Sequence, residues 1–234
     1  ALTHLASRAE PIPAAHLARA IGLPRSSTYH LLTVLIEHGY VVHYAEDRTY
    51  GIGAAVHELG AGYQRQDPLQ RLARPLVEQL VDSTTHNAHL AVLSGRDVLY
   101  VIEERAAGRP SLVTDVGVRL PATVTASGLA VLAALPRMQV TALYPSASVM
   151  VEDGPPTPSA LRRELVDVRA RGYAVEVGSV AADLSSVASA VLDRDGHPVA
   201  AVAITFRSEE VDEGGTARLA QAAGDTATRI SARL

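Results

Sequence analysis

The amino-acid sequence predicts an α+β fold made of two domains. Residues 1–60 alternate short amphipathic helices with one small hairpin, whereas the later residues place hairpin-linked strands between helices. A length of 234 residues suits two small domains or one large one. The polar stretch from Gln64 to Pro68 marks the predicted boundary.

Composition narrows the class of protein. The chain has no cysteine, which excludes disulfides, thiol nucleophiles and cysteine-ligated metals. No apolar run reaches the roughly 18–20 residues that cross a bilayer. No secretory signal pattern opens the sequence either, so we expect a cytoplasmic protein with no membrane partner. Because the first residue is Ala1 rather than Met, we expect part of the natural N-terminus to be missing. The net charge of −4 gives no general sign of a nucleic-acid partner.

Hydrophobic spacing and turn residues divide the first 66 residues into helices and a hairpin. Gly22 lies where a helix ends in left-handed geometry, and Pro24 suits the first turn of the next helix. Four apolar residues of that helix are expected to face inward: Leu31, Leu32, Leu35 and Ile36. The predicted helices are Leu2–Ala6, Ala14–Ala20, Pro24–His38 and Ala54–Arg65, and the predicted strands are Tyr40–Tyr44 and Thr49–Ile52.

A helix, a tight glycine turn, a second helix and a hairpin form the pattern of a winged helix-turn-helix. The second helix fits the major groove of B-DNA, and the hairpin reaches the backbone or the minor groove. The alternative is that the first polar residues of this helix only cap and solvate its start. An excess of one acidic side chain over arginine in residues 1–62 also opposes DNA binding. The candidate DNA-binding residues carry donors for phosphate oxygens and base edges: Arg25, Ser26, Ser27, Tyr29, His30 and, at the hairpin tip, Arg48.

The later part of the chain alternates helices with strands. Polar turns at Ser94–Asp97 and Asp193–Gly196 each connect two strands. The predicted helices are Leu69–Ser83, Ser127–Ala134, Leu161–Arg171 and Thr216–Leu234. The predicted strands are Ala88–Leu93, Val98–Glu103, Leu112–Val116, Tyr173–Val177, Ser186–Leu192 and Val199–Phe206.

Eight segments carry motifs of one known family: Leu17–Leu32, Leu35–Tyr40, Tyr50–Gly53, Arg119–Pro121, Thr125–Gly128, Arg171–Glu176, Ser186–Val191 and Asp195–Gly196. In this order they resemble the IclR family of bacterial transcriptional regulators. The resemblance implies a winged helix-turn-helix in residues 1–53, a linker helix in 54–67 and an effector-binding domain in 68–234. It also implies a GAF-like or PAS-like antiparallel sheet in the last of these. The partners it implies are operator DNA, a small organic effector and further copies of the chain, as a homodimer or tetramer.

The start of the helix after Thr125 is the candidate effector site. Backbone N–H groups of Ala126, Ser127 and Gly128 converge there on the positive end of a helix, which favours an anion such as a carboxylate. Gly128 is expected to be the most diagnostic position, because a Cβ would press into the ligand or the helix start. The alternative is that Ser127 is only an N-cap and Thr205 only a strand residue. The resemblance adds four further lining residues: Glu176, Ser186, Ala203 and Thr205.

The sequence departs from the usual IclR pattern at one residue of the DNA-binding helix and at two residues in or beside the effector site. His30 stands where the family often has Arg, Leu129 where Lys is common, and Ser186 where Cys is usual. The preferred ligand of any one relative is therefore not transferable to this chain.

Other classes of site have weaker support. His86 and His89 have metal-like spacing, but residues three apart on a strand face opposite sides and no third ligand is evident. Glu103 and Glu104 diverge for the same reason, and no nucleophile elbow or phosphate-binding loop occurs, so we expect no enzyme, cofactor or metal. The alternative to a DNA-binding regulator is a module that binds a small molecule and a protein partner. An enzyme is a second alternative, with weaker support from the sequence.

The predicted helix Ala54–Arg65 is too short to be stable alone. Its apolar residues Val56, Leu59 and Tyr63 lie at helical spacing and invite packing against another surface. The simplest such surface is a second copy of the chain, so we expect at least a dimer.

Overall fold

The structure is a computed structural model that describes residues 1–66, 68–108 and 115–234. The chain divides into two compact units, Ala1–Pro68 and Leu69–Leu234. Helices and antiparallel sheets occur in both units, which confirms the predicted α+β class. No helix in the described part of the chain has the length and hydropathy needed to cross a membrane.

The first unit places three short helices against a three-stranded sheet. The sheet has the order β1-β3-β2, and all its pairs are antiparallel. The two-residue strand β1 was not predicted, because it is too short to show alternation and contains Pro13, which is tolerated at a sheet edge. The elements are α1 (Leu2–Ala6), β1 (Ile12–Pro13), α2 (Ala14–Ile21), α3 (Arg25–Glu37), β2 (Val41–Tyr44), β3 (Thr49–Ile52) and α4 (Ala54–Gln66).

A small core holds this unit together. Leu17 and Leu32 are almost completely buried where α2 meets α3, and Gly22 ends α2 with a φ of 67° as predicted. The expectation that Ile36 faces inward is wrong, since this side chain is 38% exposed. Ile36 lies in the last turn of the 13-residue α3, and the eight-residue α2 is too short to cover that turn.

The second unit is built on one six-stranded antiparallel sheet of order β6-β5-β4-β9-β8-β7. Its helices are α5 (Pro68–Thr84), α6 (Ala126–Ala134), α7 (Arg137–Leu143), α8 (Pro158–Arg171) and α9 (Glu213–Ser231). Its strands are β4 (Asn87–Ser94), β5 (Asp97–Glu104), β6 (Arg119–Pro121), β7 (Ala174–Val177), β8 (Leu184–Leu192) and β9 (Pro198–Arg207).

One predicted strand of this unit lies mostly outside the described residues. Of the strand placed at Leu112–Val116, residues 112–114 are not described, and Val116 lies in a turn. The next strand in the described part of the chain is β6, where Leu120 pairs with Val98. The helix α7 was also not predicted, because its seven residues are too few to show a clear period.

The sheet separates two apolar cores, because strand side chains alternate between its faces. One core packs α5 and α9 against large side chains such as Leu90 and Ile204. The other packs α6 and α8 against small ones, including Ala188 and Ala203. The small side chains let α6 lie directly on β8 and β9.

Gly128 brings α6 into close contact with the preceding turn. A Cβ at this position would lie 2.1 Å from the Ala122 carbonyl oxygen and 2.4 Å from the Ala122 Cα. Both neighbours are backbone atoms, so a side chain at Gly128 requires the turn or the helix to move. This glycine therefore fixes the start of α6 against residues 122–124.

Gly128→Ala is expected to destabilise the protein by at least about 2 kcal/mol, because the added methyl group overlaps the backbone. Gly224→Ala is the matched control in α9 of the same unit, where the new Cβ meets only Ser189 Oγ at 3.5 Å. That variant should be more stable than the parent by about 0.5–1 kcal/mol. Urea unfolding followed by circular dichroism measures both changes, and equal effects would contradict the close contact.

Candidate functional site

A small enclosed cavity lies between the start of α6 and the alanine-rich face of the sheet. The volume open to the centres of water-sized spheres is about 20 Å³, which is room for one water molecule. Its lining mixes small apolar side chains with hydroxyls, one imidazole and one carboxyl: His89, Tyr100, Thr125, Ala126, Ser127, Glu176, Val180, Ala181, Leu184, Ser186, Ala203 and Thr205.

Strand register brings three of the predicted polar residues into one row. Ser186 on β8 is directly opposite Glu176 on β7 and directly opposite Thr205 on β9. The Ser186 and Thr205 hydroxyls are hydrogen-bonded at 2.9 Å. Residues opposite each other in adjacent strands share a sheet face, so all three side chains reach the cavity. The row therefore forms a polar strip on an otherwise apolar wall.

Glu176 has a structural task as well as a place in the cavity wall. Its Oε1 accepts hydrogen bonds from the backbone N–H of Ser179 at 2.6 Å and of Val180 at 3.2 Å. Burial raises the pKa of Glu176 above its ordinary value, and these backbone donors partly offset that effect. The carboxyl thus anchors the loop of residues 178–183, which carries Val180 and Ala181 into the lining.

Six lining residues were missed by the sequence analysis: His89, Tyr100, Thr125, Val180, Ala181 and Leu184. The two with titratable side chains are His89 and Tyr100. His89 on β4 is fully buried and lies opposite Ala203 on β9. Tyr100 on β5 reaches the same face only through a bulge, where the strand pairing shifts between Leu90 and Ala91. An extra residue in one strand reverses the faces of the residues beyond it. Regular alternation along β5 therefore gave no signal for Tyr100.

Both of these residues are uncharged near neutral pH. Burial lowers the pKa of His89 to about 4, with a smaller contribution from the positive charge of Arg105. Burial raises the pKa of Tyr100 to about 12, and interaction with the Ser127 hydroxyl opposes this shift. None of the described lining residues is an arginine or a lysine. The positive potential at this wall therefore comes from backbone N–H groups.

The start of α6 differs from the expectation in two respects. Thr125, not Ser127, is the N-cap, and its Oγ1 accepts the N–H of Gly128 at 3.1 Å. Gly128 is not among the lining residues, and its Cα faces the turn at Ala122. Its N–H is already paired and its open side is filled by backbone, so the structure places Gly128 behind the cavity wall and not in it. Ala126 and Ser127 do line the cavity.

The predicted DNA-binding residues lie on the surface of the first unit, five of them in α3. Arg25, Ser26 and Ser27 form the first turn of α3, and Tyr29 and His30 follow in the second. All five are exposed, whereas Thr28 between them is buried and its hydroxyl donates to the Pro24 carbonyl. The sixth residue, Arg48, is also exposed and lies in the turn of the β2–β3 hairpin with a φ of 54°.

The two histidines with metal-like spacing lie apart from one another. The His86 ring contacts Phe206 in one core, and the His89 ring contacts Tyr100 in the other. Among the described residues no group of three or more potential ligands is arranged for a metal ion.

The carboxylates of Glu103 and Glu104 also have different partners. Glu103 pairs with Arg105, and Glu104 pairs with Arg74 of α5. The two carboxylates are thus held as separate ion pairs, as expected for adjacent residues of a strand.

The helix that we expect to pack against a second copy of the chain, Ala54–Arg65, is present as α4. Val56 is half-buried and Leu59 is 63% exposed. The side chain of Tyr63, the third residue of the predicted contact, lies outside the described residues.

Proteins of known class are similar to this chain over most of its length. It is 27% identical over 199 residues to the transcriptional repressor IclR of Escherichia coli strain K12, a match that covers 81% of this chain and 70% of that protein. An IclR transcriptional regulator from Alicyclobacillus acidocaldarius has the same fold, with a TM-score of 0.85 and 20% identity over 99% of this chain and 94% of that one. An IclR homologue from Microbacterium hydrocarbonoxydans, complexed with 4-hydroxybenzoate, has a TM-score of 0.75 and 22% identity over 95% and 90% of the two chains.

Two family profiles divide the chain between them. The IclR helix-turn-helix domain matches residues 1–43, which include α3 and its exposed polar residues. The C-terminal domain of the bacterial transcriptional regulator IclR matches residues 61–232, which is well over half of the chain and includes every lining residue of the cavity. The chain therefore belongs to the IclR family of bacterial transcriptional regulators.

Proposed function

We propose that this regulator binds operator DNA through α3 and the β2–β3 hairpin, and that a small organic ligand in the cavity of the second unit changes its affinity for the operator. The observation that carries the proposal is the row Glu176–Ser186–Thr205, which directs polar groups into an apolar cavity at the start of a buried helix. A few convergent polar groups on an apolar wall are typical of ligand sites.

The ligand that suits this cavity is a small aromatic or carboxylate-bearing compound. Tyr100, Ala203 and Leu184 provide apolar surface, and the first N–H groups of α6 attract a negative group. The Ser186 and Thr205 hydroxyls orient a further polar substituent. The homologue complexed with 4-hydroxybenzoate supports this class, since that compound has an aromatic ring, a carboxylate and a hydroxyl.

Ligand binding requires the cavity to expand. A volume of about 20 Å³ holds one water molecule but no aromatic ring. The loop of residues 178–183 is the element best placed to move, because it contributes Val180 and Ala181 to the wall and is tied to the sheet by Glu176. A ligand that lifts this loop makes different contacts in the two states, which is the requirement for coupling.

We also propose the arrangement of domains and copies that the sequence suggested. Residues 1–53 bind DNA, residues 54–67 form a linker helix, and residues 68–234 bind the effector and contribute to a homodimer or tetramer. The exposed Leu59 on α4 supports association through this helix. A dimer presents two copies of α3 to one duplex, which raises the affinity of a surface with little positive charge.

The competing classes have distinct signatures. An enzyme would convert its ligand, so mass spectrometry of a long incubation would detect a product. A module that binds protein instead of DNA would select no duplex sequence at either low or high salt.

Ser186→Ala is expected to weaken ligand binding by about 0.5–1.5 kcal/mol, because the cavity loses one hydroxyl that orients the ligand. The adjacent Ser185→Ala is the matched control, since that hydroxyl is bonded to Ser208 at 2.7 Å on the opposite face of the same strand. Calorimetry on the full chain, with 4-hydroxybenzoate and then a panel of small aromatic and aliphatic acids, measures the difference. Equal effects of the two substitutions would place the ligand elsewhere.

Arg25→Ala is expected to weaken binding to an operator selected from random duplexes by about 1–3 kcal/mol if the guanidinium contacts a base, with a changed preference at one position. If it contacts only phosphate, all sequences should lose affinity and the salt dependence should fall by about one unit. Arg218→Ala removes the same charge from the exposed surface of α9 and should have little effect. Unchanged footprints for an Arg25→Ala/Tyr29→Ala double variant would reject α3 as the recognition surface.

Folding stability is expected to fall in acid because of His89. Its pKa is about 4 in the folded protein and near 6.5 when unfolded, so below pH 6.5 only the unfolded state takes up the proton. The contribution is complete above pH 6.5 and is lost as the pH approaches 4, a change of about 3 kcal/mol. The difference in unfolding free energy between the parent and His89→Gln should therefore shrink over this interval in urea titrations. Parallel pH profiles would show that His89 is not buried as a neutral imidazole.

A further inference from the structure

The second unit has a second concave surface, which is lined by arginines, whereas the described lining of the cavity contains none. A groove of about 460 Å³ lies between α7 and α8, within the size range of small-ligand sites. Its side chains are four arginines around a short apolar floor: Arg137, Val140, Ser159, Arg162, Arg163, Leu165, Val166 and Arg169. In a chain with a net charge of −4, this concentration of positive charge is local.

The four guanidinium groups lack acidic partners. Within the described ranges, ion pairs form at Arg74, Arg105 and Arg207, and none forms at the arginines of the groove. Four like charges around one groove repel one another. An anion bound between them would relieve that repulsion, so the free groove is electrostatically suited to a ligand of more than one negative charge.

Two of these side chains are held in place by their own hydrogen bonds. The Nε of Arg169 donates to the Ala133 carbonyl at 2.5 Å, and the Nη2 of Arg162 donates to Ser159 Oγ at 2.9 Å. Each guanidinium has five N–H donors in a planar fork, so both retain donors that match a carboxylate or a phosphate. Arginines positioned in advance lose less conformational freedom on binding.

The floor of the groove is apolar, so a ligand that fills the groove needs an apolar part. Val140 and Leu165 are buried beneath it, whereas Val166 is 57% exposed. A fully hydrated inorganic ion would leave this surface uncovered. A compound with an apolar body and negative groups at its edge would cover Val166 and reach the arginines together.

We infer that the α7–α8 groove is a second ligand site, separate from the cavity under α6, and that it takes an organic dianion with a compact apolar body. The negative groups are carboxylates or a phosphate, and both fit the guanidinium fork. The site gives the regulator a second chemical input, since the cavity has no arginine or lysine among its described lining residues and the groove has four arginines.

Four probes of one ring system test the required charge on the full chain: phthalate as a dicarboxylate, phenyl phosphate, benzoate with one charge and benzamide with none. Because the cavity is proposed to take small aromatic acids as well, binding at the groove is taken as the part of each calorimetric signal that is lost in Arg162→Gln/Arg163→Gln. For this part, phthalate or phenyl phosphate should have an affinity about tenfold or more above that of benzoate, and benzamide should bind most weakly. The stronger of the two dianions identifies the source of the negative groups. Added salt should weaken the dianions most, because it screens the exposed arginines.

Two variants locate the binding. Arg162→Gln/Arg163→Gln should reduce dianion affinity at least about tenfold. The control Arg218→Gln/Arg233→Gln removes the same charge from two exposed positions near the end of the sequence and should leave the affinity unchanged. Val166→Glu, at an exposed position that does not carry the fold, should also abolish the preference for dianions. Ser186→Ala should not affect it, which separates this site from the cavity.

The inference is overturned if neither dianion binds more tightly than benzamide. It is also overturned if the groove variants and the Arg218→Gln/Arg233→Gln control lose affinity equally, because the anion would then respond only to the overall charge. A circular dichroism melt of each variant verifies that it is folded, and Gln is as compatible with a helix as Arg is.

Discussion

The burial of α6 is the constraint on which the second unit depends. Eight of the nine residues of this helix are buried. The helix contacts five strands of the sheet, β4, β5, β7, β8 and β9, as well as α8. Such an approach needs small side chains on both partners, which Ala188 and Ala203 supply on the sheet and Gly128 supplies at the turn. The start of the helix is thereby fixed at the end of an enclosed space rather than in solvent.

The same constraint creates the cavity. The helix begins at Ala126, and the loop of residues 178–183 contributes Val180 and Ala181 to the cavity beside that helix start. Glu176 holds that loop by two backbone hydrogen bonds. The backbone of Asp183 in the same loop also accepts a hydrogen bond from the Ser208 N–H. Because this cover is a loop, while the wall is a packed helix on a sheet, the part able to move is separated from the part that carries the fold.

Charge is distributed unevenly over the second unit. The cavity wall contains a neutral imidazole, a neutral phenol and a buried carboxyl with a raised pKa. The arginines lie outside, on α7 and α8, where water reduces the cost of their charge. A ligand in the proposed cavity site would meet hydroxyl and backbone donors, and a ligand in the proposed groove site would meet guanidinium groups.

The sequence alone determined the fold class, the order of most elements and the local motifs. Glycine and proline signals placed the helix-turn-helix around Gly22, and the polar turn Asp193–Gly196 between two apolar segments identified β8 and β9. Both signals act between residues close in the chain. The grouping of Glu176, Ser186 and Thr205 followed from the family resemblance, and strand register supplies its physical reason.

Tertiary structure decided what depends on contacts distant in sequence. The bulge opposite Ala91 turned Tyr100 into the cavity, and the turn at Ala122 filled the space that the sequence had assigned to a ligand at Gly128. The basic groove likewise required tertiary structure to bring α7 and α8 to one surface, since Arg137 and Arg162 are distant in the sequence. Local pattern specifies which face a residue takes within its own element, but only packing between elements specifies what that face meets.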